Sequence, residues 1–94
     1  MGSGSKKGAG SGCLAGLAAE LSVVINRVRR AFGGTPMADF AGQPEVLAAA
    51  RRVNQVAGQV ARGESSRAAW REALAQYEAC WLQQLGASRA SRAA

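Results

Sequence analysis

The residues that could do chemistry are few and scattered. Six carboxylates are present, Glu20, Asp39, Glu45, Glu64, Glu72 and Glu78, with two thiols, Cys13 and Cys80, and no histidine in 94 residues. Acid–base catalysis needs two titratable groups converging on one reacting atom. Helix starts and solvent-facing positions account for several of these acids, and no two of them stand out as a pair. A thiol nucleophile needs a base to activate it, and the chain has no imidazole to serve Cys80. Two cysteines without histidine cannot supply the usual ligands of a structural zinc ion. The pattern predicts a protein that is not an enzyme, with no catalytic residue, no metal and no cofactor.

Binding chemistry has better material. Trp70, Tyr77 and Trp81 fall at spacings of seven and four, on one face of a helix. Such a row serves either as an aromatic patch for a partner or for stacked bases, or as ordinary core. Leu74 and Leu85 prolong the same face, which favours core, with Trp70 and Trp81 kept as interface candidates. Arg51, Arg52 and Arg62, with Gln55 and Gln59, occupy the outward face of another helix. They are a candidate phosphate-contacting stripe, against the simpler reading of a solvated face. No aromatic interleaves with them, and the helix pair lacks the glycine spacing and polar second helix of a DNA-reading helix-turn-helix. Net charge is +6 with a sequence pI near 10.7. Lys6, Lys7, Arg89 and Arg92 at the two ends supply four of those charges, leaving +2 for residues 13 to 86. The ends and the second helix are therefore the candidate contacts for phosphate or an acidic partner.

These side chains must be positioned by helices. Leu14, Leu17, Leu21, Val24, Ile25, Val28 and Phe32 recur at helical spacing; Val46, Ala50, Val53, Ala57 and Val60 do so again, and Trp70, Leu74, Tyr77, Trp81 and Leu85 a third time. The fold class is all-α, with helices over about 13–32, 44–62 and 66–85. The architecture is a small up-down-up three-helix bundle, or an extended helical hairpin that completes its core against other chains. Gly33-Gly34, Gly63 and Gly86 are the expected stops. Pro44 opens the second helix and Ser65 or Ser66 caps the third. Thr35 and Pro36 should start a short turn whose Met37 and Phe40 lid one end. The brief link from Gly63 to Ser66 makes the last two helices antiparallel neighbours. The small inner face of the second, including Val46, Ala49, Val53, Val56 and Val60, complements the bulky third. Residues 1–12, rich in Gly, Ser and Lys, read as a flexible tail, residues 13–86 as the helical domain, and residues 87–94 as a flexible basic tail.

Alanine promotes helix but buries little area, so the core is thin for a small domain. Val23, Leu47 and Leu82 lie outside the main stripes, one per helix, as though widening each face toward a fourth element. The expected function is a small structural or adaptor subunit that packs helix against helix with protein partners or with itself. One alternative is a nucleic-acid-associated protein using the basic tails and the second helix. Another is a membrane-surface protein, which would require acylation of Gly2; Lys6 stands where that signal wants Ser or Thr. Residues 1–32 also have the amphipathic, arginine-bearing, acid-poor character of a mitochondrial presequence, with Arg30-Ala31-Phe32 resembling its cleavage site. An up-down-up bundle sets Cys13 and Cys80 about 30 Å apart, far beyond the ~7 Å that a disulfide tolerates between Cα atoms. Free thiols suit a reducing, intracellular compartment, the cytoplasm first and the mitochondrion second.

Overall fold

A computed structural model describes the backbone of residues 2–93 and the side chains of residues 15–90. Among the described residues there are three helices, α1 (Gly2–Phe32), α2 (Pro44–Ala61) and α3 (Arg67–Ala93), with a 3-10 turn at Met37–Asp39 between the first two. Arg67 meets Glu20, Arg27 meets Glu78, and Arg89 meets the carbonyl of Ala31, so the numbers on α1 and α3 rise together. Gln84 approaches Glu45 from the other side, so α2 runs the opposite way. The result is a three-helix bundle in which α1 closes the open side of an α2–α3 hairpin. No described helix is long and apolar enough to cross a membrane.

The helix ends follow from local chemistry. At the end of α2, Gly63 takes φ 75°, and its N–H donates to the Val60 carbonyl at 3.1 Å. The Glu64 N–H donates to the Gln59 carbonyl at 2.7 Å, which completes a Schellman cap. Three residues later the Ser66 hydroxyl accepts the Ala69 N–H at 3.1 Å and caps α3. Gly33, at φ 56°, ends α1, with Arg29 and Arg30 set against the negative end of its dipole. α2 opens without a side-chain cap, on Pro44, whose missing N–H has no partner to lose there.

Several boundaries differ from those read in the sequence. α1 begins at Gly2 rather than near Cys13, and α3 runs to Ala93 rather than stopping near Leu85. No proline interrupts either extension, and each residue added to an existing helix gains one hydrogen bond. In α3 the single Gly86 costs the helix only about 1 kcal/mol relative to alanine. Gly86 is followed by Ala87, Arg89 and Ala90, and the Arg89 guanidinium donates to the Ala31 carbonyl at 3.2 Å, which ties this last stretch of α3 to α1. Before the 3-10 turn the chain is extended at Pro36, which takes the cap position in place of Thr35, so the turn opens on Met37 rather than on Pro36.

The core has two parts. Leu17, Val24, Val53, Val56, Trp70, Ala73 and Leu74 fill the half nearer the α2–α3 link. Val28, Phe32, Val46, Trp81 and Leu85 fill the other, where Met37 and Phe40 from the connecting segment pack against them as a lid. Phe32 sits edge-on to both Phe40 and Trp81, with ring centroids 5.6 Å apart in each case. Tyr77 touches both halves.

Candidate functional site

The residues that the sequence singles out do not converge on one place. Trp70 and Trp81 are 1% and 6% exposed, so they belong to the core and offer no surface to a partner. The spacing that suggested a patch is the spacing of the buried stripe. Val23, Leu47 and Leu82 are 53%, 43% and 39% exposed, as their positions off the stripes imply. They do not form one surface. Val23 lines the α1/α3 groove. Leu82 stands one turn beyond Glu78 on the same side of α3. Leu47 stands one turn before Ala50, on the side of α2 that faces α1.

The basic candidates are also dispersed. Arg51, Arg52 and Arg62 are exposed, but Arg62 is paired with Glu64 at 3.0 Å across the end of α2. Arg52 lines the α2/α3 groove beside Glu45. Arg89 is engaged with α1 through Ala31. Lys6, Lys7, Cys13 and Arg92 lie outside the residues whose side chains are described. Cys80 is a free thiol, half-buried among Ala48, Ala49 and Ala79.

The most developed surface lies between α1 and α3, and it was not apparent from the sequence. Glu20 accepts two hydrogen bonds, from the Arg67 guanidinium at 2.6 Å and from the Trp70 indole N–H at 2.9 Å. Seven residues along α1, Arg27 makes a two-pronged bridge to Glu78, with both nitrogens 3.0 Å from the carboxylate oxygens. Glu78 raises the Arg27 guanidinium further above its ordinary pKa, first by hydrogen bonding and then by charge. That contribution is complete at all pH values below the unfolded pKa of the arginine and fades only as pH rises through the folded one. Arg27 therefore stays charged throughout the physiological range. Such exposed pairs add little stability; their two-pronged geometry sets the register of α1 on α3.

Between these anchors lies a shallow groove of about 330 Å³, lined by Glu20, Val23, Val24, Arg27, Arg71, Leu74, Ala75 and Glu78. Its floor and walls are aliphatic, and its four corners are charged with alternating sign. Glu20 and Arg27 are separated by seven residues on one side, and so are Arg71 and Glu78 on the other. Each side is therefore about 10 Å long at the rise of an α-helix. The missed signal is this pair of i, i+7 spacings in opposite charge order on two parallel helices. Two further depressions are shallow: one of about 370 Å³ between α2 and α3 carries charge on α2 alone, at Glu45 and Arg52, and one of about 120 Å³ over Tyr77 carries none. No group of three metal-ligating side chains occurs among the described residues. Compared with protein families, curated proteins and solved structures, the chain matches none of them.

Proposed function

We propose that this protein is a non-enzymatic structural or adaptor module that binds protein by helix-to-helix packing, with the α1/α3 face as its contact. The observation that carries this reading is Val23. It is more than half exposed, yet it stands in an aliphatic groove beside Leu74 and Ala75, framed by charges that orient a partner. Apolar anchors surrounded by a polar rim are the anatomy of a protein interface. A thin core adds to the case, since a small domain gains stability from further burial.

The test is retention of a stoichiometric protein partner by the full chain, measured with and without nuclease. Val23→Glu and Leu82→Glu are expected to lower retention at least tenfold while the helical circular dichroism signal stays unchanged. Loss of helicity instead would place these side chains in the core and remove the reading.

A second reading is favoured by the outward arginines. Arg51 and Arg52 are exposed and make no ion pair among the described residues, as suits contacts to phosphate. Salt separates the two. Phosphate contacts weaken affinity with a slope of about −0.9 per neutralised phosphate on a double logarithmic plot, whereas apolar packing strengthens or holds as salt rises.

A further inference from the structure

We propose that the partner of the α1/α3 face is a second copy of the same chain, packed face to face; this rests on the helix-packing reading above and names its occupant. The argument is the order of charges around the groove. Going round the rim, the corners read Glu20, Arg27, Glu78 and Arg71, acid and base in strict alternation. A half-turn about an axis lying in the plane of the face, along the helices or across them, carries every corner onto one of opposite sign. Along the helices, Glu20 meets the second copy's Arg71 and Arg27 meets its Glu78. Across them, Glu20 meets Arg27 and Arg71 meets Glu78. The rim as a whole is neutral, so it gives no preference for a strongly acidic or strongly basic partner, and the simplest surface that complements it is itself. Closed two-fold pairs are the commonest protein assembly, and they require this kind of self-complementary patch.

The side chains have capacity for the extra contacts. Arg71 makes no ion pair among the described residues. An ionised carboxylate accepts about four hydrogen bonds, and Glu20 uses two. Val23 supplies the apolar centre, and Leu82 extends it along α3. The size of the face also sets the strength. Residues 15–32 of α1 span about 27 Å at 1.5 Å per residue, and the bundle is 22 Å across. Two such faces bury about 1,200 Å² in total, the lower end for a specific interface. An interface at that lower end suits a weak, reversible dimer.

Sedimentation of the full chain from about 1 to 500 μM, at physiological salt, reads this directly. A monomer at the low end and a dimer at the high end are expected. Val23→Glu and Arg71→Glu should each weaken pairing at least tenfold, the first by placing a charge at the apolar centre and the second by making three of four corners acidic. Neither side chain is buried, so helicity is expected to remain, and circular dichroism checks it. Arg51→Glu, on α2 and away from the face, should leave pairing within twofold. A chain that stays monomeric at 500 μM, or a dimer indifferent to both Val23→Glu and Arg71→Glu, overturns the proposal. If that monomer still holds a different protein in a Val23-dependent way, the helix-packing reading survives and only the second copy is excluded. If it holds none, both fail.

Discussion

Trp70 and Trp81 lie on the same stripe of α3 and have opposite fates at their indole nitrogens. The Trp70 N–H donates to Glu20 across the α1/α3 boundary, whereas the Trp81 N–H is buried without a hydrogen-bond partner. Its ring instead meets Phe32 and Tyr77 edge-on, at centroid distances of 5.6 and 6.3 Å. A hydrogen bond to a charged group contributes about 1.5–3 kcal/mol, and a buried donor left unmatched costs about 1–3 kcal/mol. Replacing either tryptophan by phenylalanine removes a similar volume. Trp70→Phe should therefore destabilise the fold by about 2–3 kcal/mol, and Trp81→Phe by about 1 kcal/mol or less, because it also removes the unmatched donor. Urea denaturation ranks the two. If Trp81→Phe proves the more damaging, its indole has a partner in solution, such as a buried water. Only the stripe was readable in the sequence. The bond to Glu20 joins residues 50 apart, and it depends on the axial register of α1 against α3, which spacing within a single helix does not encode.

At the scale of elements, glycine divides into two kinds that the sequence presents alike. Gly33 and Gly63 have φ values of 56° and 75° and end helices, while Gly86 sits inside α3 with nothing within 4 Å of where a Cβ would stand. Alanine at Gly86 therefore restricts the unfolded chain and suits the helix, and Gly86→Ala should stabilise by about 0.5–1 kcal/mol. Gly63→Ala forces an L-residue into the left-handed region and should destabilise by about 1–2 kcal/mol. Thermal melts of the two variants should move in opposite directions. A melt of Gly86→Ala that does not move would mean that α3 frays before Gly86. The helices themselves were legible because their apolar periodicity runs through them and because Gly63 and Ser66 bring the right chemistry to a short link. The end of α3 was not, because what holds it, Arg89 on the Ala31 carbonyl, lies on another helix. The charged frame of the α1/α3 groove was hidden for the same reason. Glu20, Arg27, Arg71 and Glu78 are unremarkable surface residues until two short connections make α1 and α3 parallel neighbours.

Across the whole molecule, the thin core becomes one cooperative unit only if its halves communicate. Trp70, Val53 and Val56 anchor one half; Phe32, Val28 and Trp81 anchor the other. Tyr77 packs against both, with its ring 6.3 Å from that of Trp81 and one edge on the groove beside Leu21 and Val53. The lid segment packs on the second half, and among the described residues no other side chain packs against both halves. Native-state hydrogen exchange should then give slowly exchanging amides in both halves a common opening free energy, that of global unfolding. Tyr77→Ala is expected to lower stability by about 2–3 kcal/mol, less than for a fully buried aromatic because the side chain is only partly buried. It should also separate the halves. The half around Phe32 retains the lid and the edge-on contacts between Phe32, Phe40 and Trp81, so it should exchange more slowly than the half around Val53. A uniform loss of protection in both halves would show instead that the continuous backbones of the three helices carry the coupling, and that Tyr77 contributes burial alone.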